Sequence, residues 1–386
     1  MDEKGRLMVP APIRRSIAGN LIVLTRGIDR CLWLFPPEEW KEVSTKVVGS
    51  SSLFLARDRM IQRRFLAPAQ EIEIDRSGRI AISPTLRHYA GLHKDCIVLG
   101  IINSYVEEAV VDRLRPPRPS STFVDVTLGE AGHAAAMLDR YPDILLLGSD
   151  ADSALLARSR KRLHAYAGRC RLRQAWSDEV LGGLAPGTAD LILMDLGMCR
   201  FHIERSARGF SFLRDEPLDM RFDPRHGVSA ADLINRSSRS DLCDLLTRYG
   251  GDRNARANAQ AIERARERQP IETTYQLSRA ILARTPWRGG SHHPATQVFQ
   301  ALRVAVNDEV GRLRRSLDAA AGALRAGGRL AVIAFHSIDD GIVKRYPAEN
   351  AHVAALTKRP EVPSDAEVQT NPASRSARLR VLERVP

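Results

Sequence analysis

A glycine-containing segment from Asp125 to His133 carries residue types suited to an adenosyl ligand. It has the sequence DVTLGEAGH and directly follows the apolar stretch STFV. A turn of this kind between a strand and a helix lets backbone groups approach a ligand closely. Asp150 ends the next apolar stretch, where a carboxylate can accept hydrogen bonds from ribose hydroxyls. These residues predict an adenosyl cofactor, and they leave NAD and S-adenosylmethionine as alternatives.

Another carboxylate and a few histidines are further candidates for chemistry. Asp195 ends the apolar segment ADLILMD, so it would face the ligand crevice of an open sheet; the alternative is a helix N-cap. His336 is a candidate catalytic base or a histidine that anchors a strand–loop junction. His292 and His293 are expected to shape the crevice. We predict no metal site, because no acidic or Cys partner stands at ligand spacing.

Alternating strand and helix patterns must position these residues. Strands are predicted at STFVDV, DILLLGSD, RCRLRQAW and ADLILMD, with helical segments between them. Such alternation is typical of a doubly wound α/β sheet. From about Pro217 to Thr285 the pattern becomes helical and polar, and strands return at GGRLAVIAFHS and ARLRVLERV. The sequence therefore predicts a helical subdomain inserted into an α/β domain.

The front of the chain contains an internal repeat. DEKGRLMVPAPIR (2–14) matches DRSGRIAISPTLR (75–87) in pattern. Each copy predicts a turn, a short strand, and then Pro with a helix start. Gly5 and Gly78 suit a tight turn with positive φ. The repeat predicts a small pseudo-symmetric β domain that ends near residue 104.

Composition limits the class of protein. The 386 residues are 44% hydrophobic and 27% charged, which is typical of a globular protein with two or three domains. The net charge of +12 favours a polyanionic partner, although a solvated Arg-rich surface is the alternative. The five scattered cysteines and the charged segment MDEKGR indicate a reducing, cytoplasmic location, and no apolar run is long enough to span a membrane.

The second part of the chain resembles the RsmH or MraW family, the bacterial 16S ribosomal RNA cytosine-N4 methyltransferases. The resemblance covers about residues 105–386 and implies a Rossmann-like class I methyltransferase core with an inserted substrate-recognition subdomain. It also implies S-adenosyl-L-methionine as cofactor and methylation of a cytidine in the decoding centre of the small ribosomal subunit. Six motifs carry it in the same order: DVTLGEAGH, MDLG, RGFSFLRDEPLDMRFDP, HPATQVFQALRVAVNDEV, GGRLAVIAFHSIDDGIVKR and NPASRSARLRV.

The resemblance also implies which residues form the site. Asp195 is the acidic motif residue, and its carboxylate would orient the amine that is methylated; His336 is the second catalytic candidate. The family's aromatic residue near the adenine falls on Trp176, and a contact that is usually Gln falls on His202. The implied cofactor contacts are Gly129, Ala131, Gly132, His133, Asp150, Trp176, Asp195 and His202.

The sequence departs from the family pattern at several positions. Met198–Phe201 stands where the family has Val-Ser-Ser-Pro, Glu130 adds negative charge to the cofactor turn, and Gln297 and Gly341 each replace an Arg. An alternative function follows from these changes. In it, the altered loop has abolished the chemistry, and the catalytically impaired methyltransferase fold acts as a nucleic-acid-binding transcriptional regulator.

Basic residues in the predicted helical insert are candidate RNA contacts. Arg253 and Arg256 would hold phosphates of 16S rRNA. The alternative is a solvated helix face on which Glu263 and Glu267 accompany the arginines. A flipped or single-stranded cytidine would enter the crevice between the core and the insert.

The front repeat resembles the MraZ family over about residues 1–104, through DEKGR…P, CLWLFPPEEW and DRSGR…P. This resemblance implies an AbrB-like double swapped-hairpin fold, homo-oligomeric rings, promoter DNA as partner and a nucleoid association. The alternative is that Asp–Arg pairs within each copy only fix the hairpin turns. The candidate DNA contacts, chosen because Arg suits phosphate and guanine recognition, are Arg6, Arg14, Arg79 and Arg87.

Together these patterns predict a fusion of two modules. The MraZ-like module covers residues 1–104, with repeats at about 1–38 and 70–104. The methyltransferase core covers 105–213 and 286–386, and the helical insert covers 214–285.

Overall fold

A computed structural model gives the fold of the chain. It forms two compact units, one of Met1–Asn103 with Ser364–Pro372 and the other of Ser104–Pro363 with Ala373–Pro386. The residues that the structure describes are 1–2, 5–9, 20–26, 31–37, 40–41, 44–45, 66–92, 105–284 and 293–386.

The first unit is built from short strands. Its elements are β1 (Arg6–Met8), β2 (Leu21–Arg26), β3 (Leu32–Phe35), β4 (Gln70–Glu73), β5 (Arg79–Ala81) and α1 (Pro84–Ala90). Strand β1 of the first copy and β5 of the second form an antiparallel pair, so the two copies of the repeat contact each other. A separate sheet has the order β3–β2–β4. Gly5 and Gly78 have φ values of 73° and 76°, which confirms the predicted turns; the helix start of the first copy lies outside the described residues.

The second unit contains the predicted α/β core. Its elements up to residue 204 are α2 (Tyr105–Arg113), β6 (Thr122–Asp125), α3 (Gly132–Arg140), β7 (Leu145–Asp150), α4 (Ser153–Arg162), a 3₁₀ helix (His164–Arg169), β8 (Cys170–Gln174), α5 (Ser177–Gly182), β9 (Ala189–Asp195) and α6 (Arg200–Glu204). The helical region contains α7 (Ala230–Arg236), α8 (Arg239–Gly250), α9 (Ala255–Arg266) and α10 (Thr274–Arg284). After it come α11 (Ala295–Val306), α12 (Glu309–Ala323), β10 (Leu324–Ala334), α13 (Ser337–Glu349), β11 (Val353–Ala355), α14 (Asp365–Thr370, in the first unit), a 3₁₀ helix (Pro372–Ser376) and β12 (Arg378–Arg384).

Seven strands form one sheet in the order β11–β12–β10–β9–β6–β7–β8. The predicted strands are all present. The last one, ARLRVLERV, differs from a purely parallel arrangement, because β12 runs antiparallel between β10 and β11. An antiparallel strand needs no crossover helix, so the chain can return between β10 and β11 without one.

Both faces of the sheet are buried, as alternating side chains show. Phe123 and Leu193 face the helices α2 and α3, whereas Val124 and Met194 face α5, α12 and α13. A period of two with apolar residues on both faces is what a covered parallel sheet requires. Helices on both faces leave the carboxyl ends of the strands as the edge at which a ligand can bind.

The predicted helical insert has a core of its own. Leu242 and Leu246 of α8 pack there with Ile262 of α9 and Leu277 of α10. The same core also takes in Phe299 and other residues of α11, a helix that follows the insert boundary predicted at residue 285. That boundary stays a prediction. In the described part of the chain, no helix is long and apolar enough to cross a membrane.

Candidate active site

Three aspartates stand at the carboxyl ends of neighbouring strands. Asp125 ends β6, Asp150 ends β7 and Asp195 ends β9. Because β6 pairs with both β7 and β9 in parallel, the three carboxylates lie at one edge of the sheet. This concentration of acidic groups suits a ligand with hydroxyl donors and positive charge.

The turn after β6 is held in place by Asp150. The Gly129 N–H donates to Asp150 Oδ2 over 2.8 Å, and Ser159 Oγ donates to the Gly129 carbonyl over 2.6 Å. Gly129 and Ala131 have φ values of 53° and 60°, and an alanine is strained in this left-handed region. A Cβ at Gly132, where α3 begins, would meet no atom within 4 Å. The start of the helix therefore opens to a ligand that approaches its backbone.

Asp195 has one oxygen engaged and one without a partner. His133 Nε2 lies 3.6 Å from Asp195 Oδ2, so the turn and the end of β9 meet at this pair. The Asp195 N–H donates to Thr127 Oγ1 over 2.6 Å. Asp195 Oδ1 is buried and accepts no hydrogen bond from any group in the described ranges. A buried acceptor without a donor is costly, and a ligand amine would satisfy it.

Asp125 is the most deeply buried of the three carboxyl groups. Its carboxyl is 2% exposed, and burial raises its pKa to about 7, although His133 and the Thr127 N–H oppose the shift. The nearby charges of Asp195 and Asp150 raise the pKa further. Burial also raises the pKa of Asp150. A positive charge on a ligand would favour the ionised forms of these groups.

His202 lies in a buried cluster beside this edge. Its Nδ1 accepts the Cys199 N–H over 3.2 Å, so Nε2 carries the proton and donates to Asp152 Oδ2 over 3.1 Å. Its ring lies 5.0 Å from that of Phe210 and 4.8 Å from that of Phe222. Both ring nitrogens of His202 are therefore engaged by protein groups, and its contact with the cofactor stays a prediction.

Trp176 follows β8 and begins α5. The Arg312 guanidinium lies 3.9 Å above its ring and also donates to Asp178 over 2.7 Å. One face of the indole is thus covered, and the ring packs partly against the core of the insert. An adenine can stack only on the opposite face of Trp176.

The altered loop after Asp195 is packed onto the protein. The Cys199 thiol is largely buried, which raises its pKa to about 11, so it is neutral near pH 7. The Phe201 ring lies 5.3 Å from the Arg158 guanidinium, and Arg158 Nε lies 2.6 Å from Glu130 Oε1. Two departures from the family pattern, Glu130 and Phe201, are therefore joined through Arg158.

The remaining candidate histidines occupy different settings. His336 is the N-cap residue of α13 and its side chain forms no capping hydrogen bond; burial with the nearby Arg303 lowers its pKa to about 4. Arg303 pairs with Glu309 over 2.8 Å. The His293 ring stacks on Phe212 at 4.5 Å, and burial lowers its pKa. His292 lies outside the described residues.

The candidate RNA contacts are exposed. Arg253 and Arg256 both reach solvent beside the start of α9, and Asp252 holds the turn by accepting the Asn254 N–H over 2.8 Å. Glu263 pairs with Arg239 of α8 over 3.3 Å. The charges of Arg253 and Arg256 are thus available to an anionic partner.

The candidate DNA contacts of the first unit are engaged within it. Arg6 Nε donates to Asp2 Oδ2 over 2.8 Å, and Arg79 Nη1 lies 3.3 Å from the same oxygen. The Asp75 carboxylate accepts the Arg79 N–H over 2.9 Å. Asp2 and Asp75 thus hold their own turns, while the Arg79 guanidinium reaches the aspartate of the other copy; the DNA contacts stay a prediction. Arg87 packs against Gly5, and Arg14 lies outside the described residues.

Sequence reasoning did not single out Asp152, Arg208 or Arg158. Asp152 caps α4 by accepting the Ala154 N–H over 2.9 Å, and Arg208 donates to its carboxylate. Burial opposes ionisation of Asp152, yet the hydrogen bonds from His202 and Arg208 lower its pKa. The Asp-x-Asp spacing after β7 is a signal for Asp152. Arg158 gives no local signal, because its partners are distant in sequence.

The sheet order contains one antiparallel strand, and the glycine turn after β6 lies beside three aspartates. These features define a Rossmann-like methyltransferase. This class of enzyme takes its methyl group from S-adenosylmethionine. The chain belongs to the MraW methylase family, whose family model matches residues 102–385. A second model, described as "MraZ protein, putative antitoxin-like", matches residues 1–64 and 65–105.

Curated relatives agree with this family. The chain is 41% identical over 304 residues to ribosomal RNA small subunit methyltransferase H of Treponema denticola, covering 73% of this chain and 96% of that protein. It is 43% identical over 272 residues to the protein of the same name from Deinococcus radiodurans, covering 69% and 85%. A solved rRNA methylase from Streptococcus thermophilus is 10% identical with a TM-score of 0.35, over 73% of this chain and 95% of that one.

Proposed function

We propose that the chain methylates the exocyclic N4 amine of a cytidine in the decoding centre of 16S rRNA, with S-adenosylmethionine as methyl donor. The family membership supports a methyltransferase, and the relatives' names support small-subunit rRNA as the substrate. The observation that carries the proposal is the buried, unpartnered Asp195 Oδ1 at the edge where the cofactor turn lies.

The residues present fit this cofactor. The Gly129 turn and the open approach at Gly132 offer backbone to an adenosyl group, and Asp150 offers acceptor oxygens for its ribose hydroxyls. The carboxylates of Asp125 and Asp195 supply negative charge for a sulfonium. The cofactor supplies an electrophilic methyl group, and every other contribution comes from the chain.

Asp195 has the central part in the chemistry. Its Oδ1 would accept one hydrogen of the cytosine amine, which orients the nitrogen lone pair toward the methyl group. His133, 3.6 Å from Oδ2, holds the carboxylate in position. After transfer the methylated amine is strongly acidic, so a carboxylate suffices to take its proton. His336 has a pKa of about 4 and is proposed as a neutral, positioning group.

The packing of the Met198–Phe201 loop favours an active enzyme over a catalytically impaired methyltransferase fold. Cys199 and Phe201 contact His202 and Arg158, so these two altered side chains pack against protein groups, while Met198 and Arg200 are exposed.

Methyl transfer from tritiated S-adenosylmethionine to immature small subunits tests the proposal. The wild-type chain should label 16S rRNA. Asp195→Ala should abolish labelling with cofactor binding and fold retained, whereas Asp143→Ala, at an exposed position before β7 and so at the opposite end of this strand from Asp150, should not. Cofactor binding by the wild type without any transfer would favour the scaffold alternative.

For the first unit, we propose binding to promoter DNA. The MraZ match over residues 1–105 supports it, as do the arginines that flank the paired turns. A gel shift on DNA with repeated promoter boxes tests it. Arg6→Ala and Arg79→Ala should weaken the shift; if both leave it unchanged, these arginines serve only the turns. The expected homo-oligomer is checked by light scattering on the same samples.

A further inference from the structure

A cavity outside the cofactor site lies where α8, α12 and α13 meet. Its volume is about 290 Å³, at the lower end of the ~300–1,000 Å³ typical of small-ligand sites. None of the cofactor-turn residues or the three strand-end aspartates lines it. The lining residues are Arg248, Tyr249, Val310, Arg314, Ser337, Ile338, Gly341, Ile342 and Arg345.

Three arginines from three helices share this cavity. Arg248 lies in the last turn of α8, Arg314 lies in α12 and Arg345 lies in α13. All three are exposed. Among the described residues that line the cavity, none is acidic. Arginines converging on a concave site without a carboxylate suit an anion such as a phosphate.

The charges of these arginines are largely uncompensated. Arg314 Nη1 lies 4.0 Å from Glu349 Oε2, and both side chains are about half exposed, so this pair is weak. Within the ranges that the structure describes, Arg248 and Arg345 form no ion pair with an acidic residue. Arg248 instead lies 5.4 Å from the Tyr249 ring. A bound anion would therefore meet a positive charge that is not already neutralised.

Gly341 leaves space for one of these guanidinium groups. A Cβ at this position would lie 3.3 Å from Arg345 Nη1. Gly341 is one of the departures from the resembled family, which has Arg there. A larger side chain at 341 would fill the cavity, whereas glycine lets Arg345 supply the charge from the next turn of α13.

The cavity is lined by the start of α13, a helix that follows the carboxyl end of β10, the strand beside β9. Ser337 and Ile338 begin α13 directly after β10, and Ile333 of β10 is in register with Asp195 of β9. A strand of RNA with its cytidine near Asp195 would thus have neighbouring phosphates on this side of the molecule.

We propose that this arginine cavity (Arg248, Arg314 and Arg345 around Gly341) binds a backbone phosphate of the RNA substrate near the nucleotide that is methylated. The proposal rests on the proposed function. The apolar wall of Val310, Ile338 and Ile342 suits the attached ribose, and the arginines hold the phosphate. The cavity positions the RNA and takes no part in methyl transfer.

Fluorescence anisotropy of the full chain with a labelled 16S rRNA fragment that spans the decoding centre tests this proposal. Arg345→Ala and Arg248→Ala should each weaken binding by about 5- to 10-fold and make the slope of log K against log salt shallower by about one unit. Gly341→Leu should also weaken binding, because it fills the cavity without changing the charge. Arg171→Ala on β8 removes an exposed charge elsewhere and should bind like the wild type.

Other outcomes separate the sources of failure. If the wild type binds the fragment and these three variants bind equally well, or if the wild type does not bind it, the cavity proposal is wrong. If inorganic phosphate binds the wild type and not Arg345→Ala while RNA affinity is unchanged, the cavity is a free-anion site. If the cavity variants weaken RNA binding but the wild type transfers no methyl group, the proposed function is wrong and the RNA-binding site is still supported.

Discussion

Replacing Asp125 by Asn should stabilise the methyltransferase unit at pH 8 and have little effect near pH 4. The Asp125 carboxyl is almost fully buried, and its pKa is raised to about 7. Asn has nearly the same shape, and its Oδ1 can still accept the Thr127 N–H, which now reaches Asp125 over 3.2 Å. The substitution therefore removes the titration and keeps the hydrogen bond.

The sign follows from proton linkage. In the unfolded chain an Asp has a pKa near 3.8, whereas Asp125 in the folded chain has one near 7. Between these values the folded state holds a proton that the unfolded state has released, so the free energy of unfolding falls as pH rises. Three pH units at about 1.4 kcal/mol each give an upper limit of about 4 kcal/mol. The buried Asn amide has a desolvation cost of its own, so we expect about 2–4 kcal/mol.

Urea unfolding at pH 4.5, 6 and 8 measures the effect. The transition of the methyltransferase unit is identified as the one that S-adenosylmethionine shifts to higher urea. The difference in unfolding free energy between the variant and the wild type should grow with pH and level off above pH 7. Asp143→Asn, at an exposed position in the loop before β7, serves as control. A difference that is the same at all three pH values would show that the buried Asp125 does not bind a proton on folding.

Further predictions concern the histidines and the first unit. His202→Ala should destabilise the methyltransferase unit by about 2–4 kcal/mol in urea unfolding, because Asp152 loses one of its hydrogen-bond donors and the core loses a buried ring; His202→Gln should lose less, and equal losses would count against the hydrogen-bond explanation. Gly5→Ala should lower the melting temperature of the first unit, since φ is 73° and the new Cβ would lie 2.5 Å from Arg87 Nη1; an unchanged melting temperature would contradict it. His336 should stay neutral from pH 5.5 to 8, because its pKa is lowered to about 4; an imidazole titration near pH 6.5 in NMR spectra would show otherwise.

Most of the fold elements that we predicted from the sequence follow from local patterns of apolar and turn residues. Strand ends at Asp125, Asp150 and Asp195 follow from short apolar runs, and the positive φ at Gly5 and Gly78 follows from turn chemistry. These features depend on neighbouring residues, so a linear pattern records them.

The features that the sequence did not predict depend on contacts between distant segments of the chain. The direction of β12, the packing of α11 with the insert, and the Glu130–Arg158–Phe201 contact are set by tertiary packing and leave no periodic signal. The arginine cavity has the same origin, since its charges come from α8, α12 and α13. At His202 the family position was identified, whereas its buried hydrogen bonds to Asp152 and Cys199 required the structure.

The identity of the methylated nucleoside is the most direct test of N4-methylation that depends on Asp195. Small ribosomal subunits are prepared from a bacterial strain that lacks its own methyltransferase of this family. They are incubated with S-adenosylmethionine and either the wild-type chain or Asp195→Ala. The 16S rRNA is then digested to nucleosides for mass spectrometry. We expect N4-methylcytidine from a decoding-centre fragment with the wild type and none with Asp195→Ala. Methylation at a ring carbon or a ribose, or equal N4-methylcytidine with Asp195→Ala, would contradict it.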